Sequence, residues 1–201
     1  VKASAFYHFN WGTNKLFTTT VGLIYQGQSG SPYSLVYSGD INGDNGTSND
    51  LIFIPTDAQV DQMQFLGTDA YTAEQQRANL KQWLATTRYV KDHRGEYFER
   101  YGDNLPFGSH FDFHFGQKFG IRTGKYVHAL ELTLDIMNVA NLLNKDWGRT
   151  FSSGYNSEFV SPITYKGDGV FQFANPSDMP LKYPSSYYSR WRGQVGLKYT
   201  F

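Results

Sequence analysis

The sequence predicts an all-β fold: part of a membrane-spanning antiparallel β-barrel with two long extracellular loops, one of them carrying a short helix. Three observations predict it. Apolar and polar residues alternate with period two in five separate stretches, the pattern of strands with one apolar and one polar face. Aromatic residues make up 17% of the chain, with 15 Tyr and 16 Phe, which suits the aromatic girdles of such barrels. The links between the alternating stretches are short on one side and long on the other, as periplasmic turns and outer loops are.

The last stretch, about 189–201, shows the pattern most clearly. Trp191, Gly193, Val195, Leu197, Tyr199 and Phe201 form one set. Arg190, Arg192, Gln194, Gly196, Lys198 and Thr200 form the other. One set is apolar apart from a glycine; the other carries three cations. A soluble edge strand shares this alternation, but the aromatic end and the cation-lined face fit the closing strand of an outer-membrane barrel better.

The first strand is expected at about 2–11. Ala3, Ala5, Tyr7, Phe9 and Trp11 lie on one face, and Lys2, Ser4, His8 and Asn10 on the other, with Phe6 as an exception. Gly12-Thr13-Asn14 reads as a tight turn. The second strand, about 15–27, sets Phe17, Val21, Leu23 and Tyr25 against Thr18, Thr20, Gly22 and Gln26; Leu16 and Ile24 blur it. The third, about 109–121, opposes Phe111, Phe113, Phe115, Phe119 and Ile121 to His110, Asp112, His114, Gly116, Lys118 and Gly120. After a short turn at 122–125, the fourth, about 126–137, opposes Tyr126, His128, Leu130, Leu132, Leu134 and Ile136 to Ala129, Glu131, Thr133 and Asp135.

Two long loops, about 28–108 and 138–188, separate these strands. In the first, Tyr33 to Tyr37 reads as a short extended piece and Leu51 to Ile54 as a short strand closed by Pro55. Thr72-Ala-Glu-Gln75 reads as a capping box opening a helix to about Thr87, with Ala73, Leu80, Trp83 and Leu84 near one face. Loops of this length in a compact domain usually carry function.

The totals narrow the function classes. Formal net charge is zero, which gives no electrostatic footprint for nucleic acid. The chain has no cysteine, hence no disulfide or thiolate chemistry. No apolar run reaches the ~18 residues of a membrane helix. The negative mean hydropathy is compatible with membrane strands, which alternate. No signal peptide is present, and Val1-Lys2-Ala3-Ser4 already reads as strand, so residues 1–201 are expected to be the C-terminal part of a longer polypeptide. Five strands alone would leave two bare edges and a wide lipid-facing sheet.

Candidate chemistry sits in three places. Asp40, Asn42, Asp44 and Asp50 place oxygen ligands at alternate positions of a glycine-containing loop, as calcium requires. Against an EF-hand, the sixth position is Asn45 rather than glycine and the twelfth is Leu51 rather than glutamate. An Asx-rich turn closed by side-chain to backbone hydrogen bonds is the alternative. His110, Asp112 and His114 share the inward, polar face of one strand. Histidines at i and i+4 of a strand stand ~13 Å apart along its axis and cannot hold one metal without bending, so a polar row facing the barrel lumen is the expected role. Arg190, Arg192 and Lys198 face the same way, toward an acidic surface inside the barrel, a passing anionic substrate or solvent. Tyr155, Tyr165, Tyr183, Tyr187 and Tyr188 could stack on sugars or peptides or sit in an interface belt. Ser109 faces away from the histidines and no Gly-x-Ser-x-Gly occurs, so no enzyme is expected.

The stretch Leu132-Thr-Leu-Asp-Ile-Met-Asn-Val-Ala-Asn-Leu-Leu-Asn-Lys-Asp-Trp147 resembles the V-x-N-L-F-D-K-x-Y signature near the end of TonB-dependent outer-membrane receptors, with Leu143 for Phe, Asn144 for Asp and Trp147 for Tyr. Gly193 to Phe201 resembles their closing strand. Tyr25-Gln-Gly-Gln-Ser-Gly-Ser-Pro-Tyr33, Tyr37-Ser-Gly-Asp-Ile-Asn-Gly-Asp44, Asn49-Asp-Leu-Ile-Phe-Ile-Pro55 and His93-Arg-Gly-Glu96 resemble the carboxypeptidase-regulatory-domain (Oar-like) receptors of Bacteroidetes, relatives of the SusC-like group. The resemblance implies the last five strands of a 22-stranded barrel in the outer membrane of a Gram-negative bacterium. It also implies an N-terminal plug, energy coupling through TonB-ExbB-ExbD, and a surface lipoprotein as a possible partner. The function it implies is active import of an oligosaccharide, peptide or chelate. Two other readings remain: a barrel scaffold that docks surface proteins without transport, and a soluble aromatic-rich β-sandwich that binds glycans.

Overall fold

The computed structural model describes residues 1–12, 16–153, 159–173, 183–184 and 187–201, the side chains of 183–184 excepted. In chain order the elements are β1 (Lys2–Trp11), β2 (Phe17–Gln28), β3 (Pro32–Ser38), α1 (Asp57–Gln62), β4 (Gln64–Phe65), α2 (Ala73–Thr86), α3 (Arg88–Asp92), β5 (Asp103–Asn104), β6 (Gly108–Thr123), β7 (Tyr126–Met137), α4 (Val139–Leu143), β8 (Phe151–Ser152), β9 (Phe159–Tyr165), β10 (Val170–Phe173), β11 (Tyr183–Pro184) and β12 (Arg192–Thr200). Strand predominates, and among the described residues no helix is long and apolar enough to cross a membrane. The chain divides into two compact units.

The first unit comprises Val1–Ser29, Pro106–Thr150 and Pro184–Phe201. Its sheet has the order β1-β2-β6-β7-β12 with every pair antiparallel. Gln28 pairs with Gly108 at one end of β2 and β6, and Met137 pairs with Arg192 at the same end of β7 and β12. Both long connections therefore leave and return at that end. At the other end β6 and β7 close through two residues between Thr123 and Tyr126, with Gly124 in the left-handed region at φ 62°, a conformation that costs glycine little. The turn expected at Gly12-Thr13-Asn14 lies partly outside the described residues; Gly12 itself has φ 77°.

The closing strand is shorter than its alternation suggests. Ser189 lies in a turn and Arg190 in a bend, and Trp191 also precedes β12 without strand conformation. The partner strand β7 ends at Met137, which pairs with Arg192, and α4 begins at Val139, so the ladder does not continue before Arg192; the Ser189 hydroxyl instead accepts from Thr150 N at 3.0 Å and donates to Thr150 O at 3.1 Å.

The second unit comprises Gly30–Leu105 and Phe151–Tyr183. Most of the two long excursions, about 28–108 and 138–188, fold together around one core. Its sheet, β4-β10-β9-β3-β5, is mixed, with β3–β9 and β4–β10 parallel. Tyr33, Leu35, Val36 and Tyr37 of β3 are all buried, the near-continuous apolar run of a strand covered on both faces. Residues 51–54 form two isolated bridges, Leu51 to Val36 and Phe53 to Tyr97, rather than the strand expected there. Ile52 and Ile54 nonetheless point into the core.

The α2 helix opens as expected. Thr72 accepts from Gln75 N, and the Gln75 side chain accepts from Thr72 N. Leu80, Trp83 and Leu84 are buried, and Trp83 packs its ring 5.7 Å from Phe173. Gln76, on the same face, is also buried. Its Nε2 donates to Leu66 O at 2.7 Å and its Oε1 accepts from Phe173 N at 2.8 Å. An amide with both ends satisfied can be buried without the penalty of an orphaned polar group.

Candidate functional site

The period-two pattern places the chemistry of the first unit on two faces of its sheet. Cross-strand register puts Tyr7, Val21, Phe115, Leu134 and Val195 in one row, and Trp11, Phe17, Phe119, Leu130 and Tyr199 in another nearer the short turn. This face is exposed: Val195 is 76% accessible, Leu197 68% and Tyr7 70%. Its ends are aromatic. Near the short turn Trp11 stacks on Phe17 at 4.9 Å, and Phe17 meets Phe119 edge-on at 6.1 Å. Toward the other end Tyr25 meets Phe111 at 4.9 Å. Phe17 and Tyr25 are eight steps apart on β2, about 27 Å along the strand, or about 21 Å of height at a tilt of about 40°.

Polar atoms on this face satisfy one another. Trp11 Nε1 donates to Thr19 Oγ1 at 3.0 Å, and that hydroxyl donates to Gln117 Oε1 at 2.6 Å. Gln117 Nε2 donates to the carbonyls of Thr18 and Lys118.

The opposite face carries His110, Asp112, His114, Lys118, Arg192 and Lys198, as the alternation places them. Each of the first three has its own partner. His110 Nε2 lies 2.8 Å from Thr150 Oγ1. Asp112 Oδ1 accepts from Asn138 N at 2.8 Å. His114 Nδ1 lies 2.6 Å from Asp135 Oδ1 across the β6–β7 pair. Glu131 sits in register between Lys118 and Lys198, so charges of opposite sign alternate across three strands.

The end of the sheet from which the long connections leave is built by the asparagines of the stretch 138–147. Asn138 adopts φ 54°, donates from Nδ2 to Gly148 O at 2.9 Å and is buried. Asn141 Nδ2 donates to Lys145 O and Trp147 O at 3.0 Å each, while its Oδ1 accepts from Trp191 N at 3.3 Å. Two side chains thus tie the turn after β7 and hold the approach to β12. Asparagine suits this position because it tolerates the left-handed region and its amide mimics backbone.

Beneath this turn, on the polar face, lies a cavity of about 470 Å³. Arg190, Arg192, His110, Asp112, Gln28 and Tyr188 line it with neighbouring residues. Arg190 reaches it from the bend before β12, not from a strand position. Arg192 holds its guanidinium carbon 4.6 Å over the Tyr187 ring, and Tyr187 meets Tyr188 edge-on at 5.1 Å. Lys198 lies six residues further along β12 and is not among the cavity's lining residues. The alternation marked the two arginines, His110 and Asp112. It gave no sign of Thr150 or Tyr187, which long connections bring back to the sheet. Tyr155 and the side chain of Tyr183 lie outside the described residues. Tyr165 belongs to the second unit, where it packs 5.5 Å from Phe171.

In the second unit Asp40, Asp44 and Asp50 each bring a carboxylate oxygen within 4.8 Å of the others. Every carboxylate oxygen has a donor. Asp40 accepts from the N–H groups of Gly43, Asp44 and Asn45. Asp44 accepts from Gly46 N and from the amides of Asn42 and Asn49. Asp50 accepts from Ile41 N and from Asn42 Nδ2 at 2.6 Å. The donors, led by the Gly46 N–H and followed by the Asn42 amide, hold the Asp44 carboxyl below its ordinary range. This is the Asx-turn arrangement. A calcium ion would need Asn42 to turn its amide, so that Oδ1 replaces the Nδ2 now facing Asp44 and Asp50.

Comparison of the chain with protein-family models, with curated proteins and with solved structures finds no match.

Proposed function

We propose that this chain is wall and outer-loop material of a TonB-dependent receptor in the outer membrane of a Gram-negative bacterium, of the Oar-like or SusC-like kind. The receptor imports an oligosaccharide, peptide or chelate. The observation that carries the reading is the exposed apolar face of the five-stranded sheet, bounded by aromatic pairs at both ends, with a charged face behind it. An exposed apolar patch of this extent calls for a cover. Hydrocarbon bounded by two polar interfaces is the cover that an aromatic-ended band fits.

In this reading β1 and β12, which among the described residues each pair on one side only, join the remaining strands of the same barrel. The polar face lines the lumen and meets the plug. The second unit, fed by connections from one end of the sheet, stands on the cell surface, where a lipoprotein partner would meet it. Force from TonB-ExbB-ExbD acts on the plug, and this chain carries no catalytic step.

Fractionation with intact-mass measurement tests the proposal. The expected result is a heat-modifiable outer-membrane species several times heavier than the 22.9 kDa of these residues. A stable, monomeric, detergent-free 22.9 kDa species would overturn it. A membrane-embedded barrel whose uptake is unchanged when TonB is deleted would favour the docking scaffold.

A further inference from the structure

We infer that the cavity at the loop end of the polar face is a subsite for a single carboxylate group borne on a polar, hydroxyl- or amide-bearing molecule. The inference names a ligand class for the lumen and rests on the receptor reading for its biological meaning, though not for its chemistry. The cavity's size, about 470 Å³, falls within the range of small-molecule sites.

Its charged groups are arranged to receive an anion. Arg190 and Arg192 both line it, and among the described residues no carboxylate lies within 4.0 Å of either guanidinium. Arg192 Nε is buried with no hydrogen-bond partner among the described residues. Its guanidinium plane is already held over Tyr187, so little rotamer freedom remains to be lost when an acceptor arrives. Each guanidinium presents several donors in a fixed fork that matches a carboxylate and bonds it with charge assistance.

The same cavity sets the number of charges. Asp112 is the one carboxylate among the described lining residues, and its Oδ1 already accepts from Asn138 N. His110 is engaged with Thr150. Two arginines against one aspartate leave one net positive charge, which a monoanion neutralises. A phosphate dianion would overfill it and face Asp112. Gln28 offers an amide to the rest of the ligand, Gln26 already donating from Nε2 to Asp112 Oδ2 at 3.5 Å, and Tyr188 offers a ring.

The test is calorimetric titration of the full-length, detergent-solubilised protein with D-glucuronate, beside uncharged D-glucose and dianionic glucose 6-phosphate. Glucuronate is expected to bind saturably, with glucose at least about tenfold weaker, the value of one charge-assisted bond. Arg192→Gln should weaken glucuronate by about tenfold or more, and Arg192→Lys should recover part of it. Asp112→Asn should shift the preference toward glucose 6-phosphate, a change that misfolding would not produce. No saturable binding of glucuronate up to about 10 mM, the millimolar range being the weakest affinity of interest, would overturn the inference. So would tighter binding of glucose 6-phosphate by the unaltered protein, or unchanged glucuronate binding by Arg192→Gln. None of these results depends on transport, so the receptor reading stands or falls separately by fractionation and mass.

Discussion

The ring of Phe6 lies where a side chain on Gly22 would be: a Cβ built on Gly22 would stand 2.4 Å from Phe6 Cε1. The two residues are directly paired in the β1–β2 register, and His114 follows Gly22 on β6. Phe6 is the one large apolar residue of β1 on the polar face, and the glycine opposite gives it room to lie flat and reach His114, 6.1 Å away between ring centroids. Gly22→Ala should turn the ring off the sheet and destabilise the protein by about 1–3 kcal/mol. If the ring is the cause, Phe6→Ala with Gly22→Ala will cost less than the sum of the two, by at least about 0.5 kcal/mol. Urea midpoints of the four proteins in a double-mutant cycle decide it; additivity would mean that the glycine serves another purpose.

Gln76 supports a second prediction, in the other unit. Replacing it with Leu leaves Phe173 N without its acceptor, and leaves Leu66 O with only the longer bond from Gln172 Nε2 at 3.5 Å. An orphaned buried group costs about 1–3 kcal/mol, so a loss of about that size is expected. Amide exchange in α2 and β10 should accelerate accordingly. Gln82→Leu, on the less buried side of the same helix, should stay within about 0.5 kcal/mol. Equal effects at the two positions would refute the bridging role.

Gln76 also illustrates what the sequence conceals. The strands of the first unit are legible because each carries one apolar and one polar face, so period two survives in the residues. The α2 helix is legible through its capping box and its Leu80, Trp83, Leu84 face. The β3 strand gives no alternation, because its side chains are buried on both sides, and its parallel partner β9 lies more than a hundred residues on. No local signal joins segments so far apart, so the second unit reads as two loops until they meet. Of the cavity, the arginines and His110 could be read from alternation. Their meeting with Thr150 and Tyr187 could not, because turns, not strand period, bring those residues back.

The acidic loop titrates in a predictable direction. The Asp44 carboxyl is held below its ordinary range by the Gly46 N–H and the Asn42 and Asn49 amides. A folded value lower than the unfolded one means stability that is present above the ordinary aspartate range of about 3.9 and lost as pH falls through the lowered folded value. Melting temperature followed from about pH 7 down to about pH 3, a range that brackets the ordinary aspartate value, should show a steeper acid loss for the unaltered protein than for Asp44→Asn. Because every carboxylate oxygen of Asp40, Asp44 and Asp50 already has a donor, a chelator is expected to leave the melting temperature unchanged. A heat of calcium binding together with chelator-sensitive melting would instead make Asn42 a ligand through Oδ1.

Val195 and Gln194 are neighbours on β12 that face opposite ways, and together they test which face meets hydrocarbon. Val195 is 76% exposed in the row with Leu134 and Phe115, midway between the aromatic ends. Gln194 stands opposite Asp135 on the charged face. In water, arginine at an exposed valine costs almost nothing, since surface changes stay within about 0.5 kcal/mol. At the centre of a bilayer it costs about 2–4 kcal/mol. Val195→Arg should therefore lower the unfolding free energy of the full-length protein in lipid vesicles by that amount. Gln194→Arg, beside Asp135, should lower it by less than about 0.5 kcal/mol. Leu197 shares the apolar face one row nearer the aromatic end at the short turn, so Leu197→Arg should cost less than Val195→Arg, because the penalty falls toward the interface. If Val195→Arg proves as harmless as Gln194→Arg, the apolar face does not contact lipid, and the membrane reading fails at its central observation.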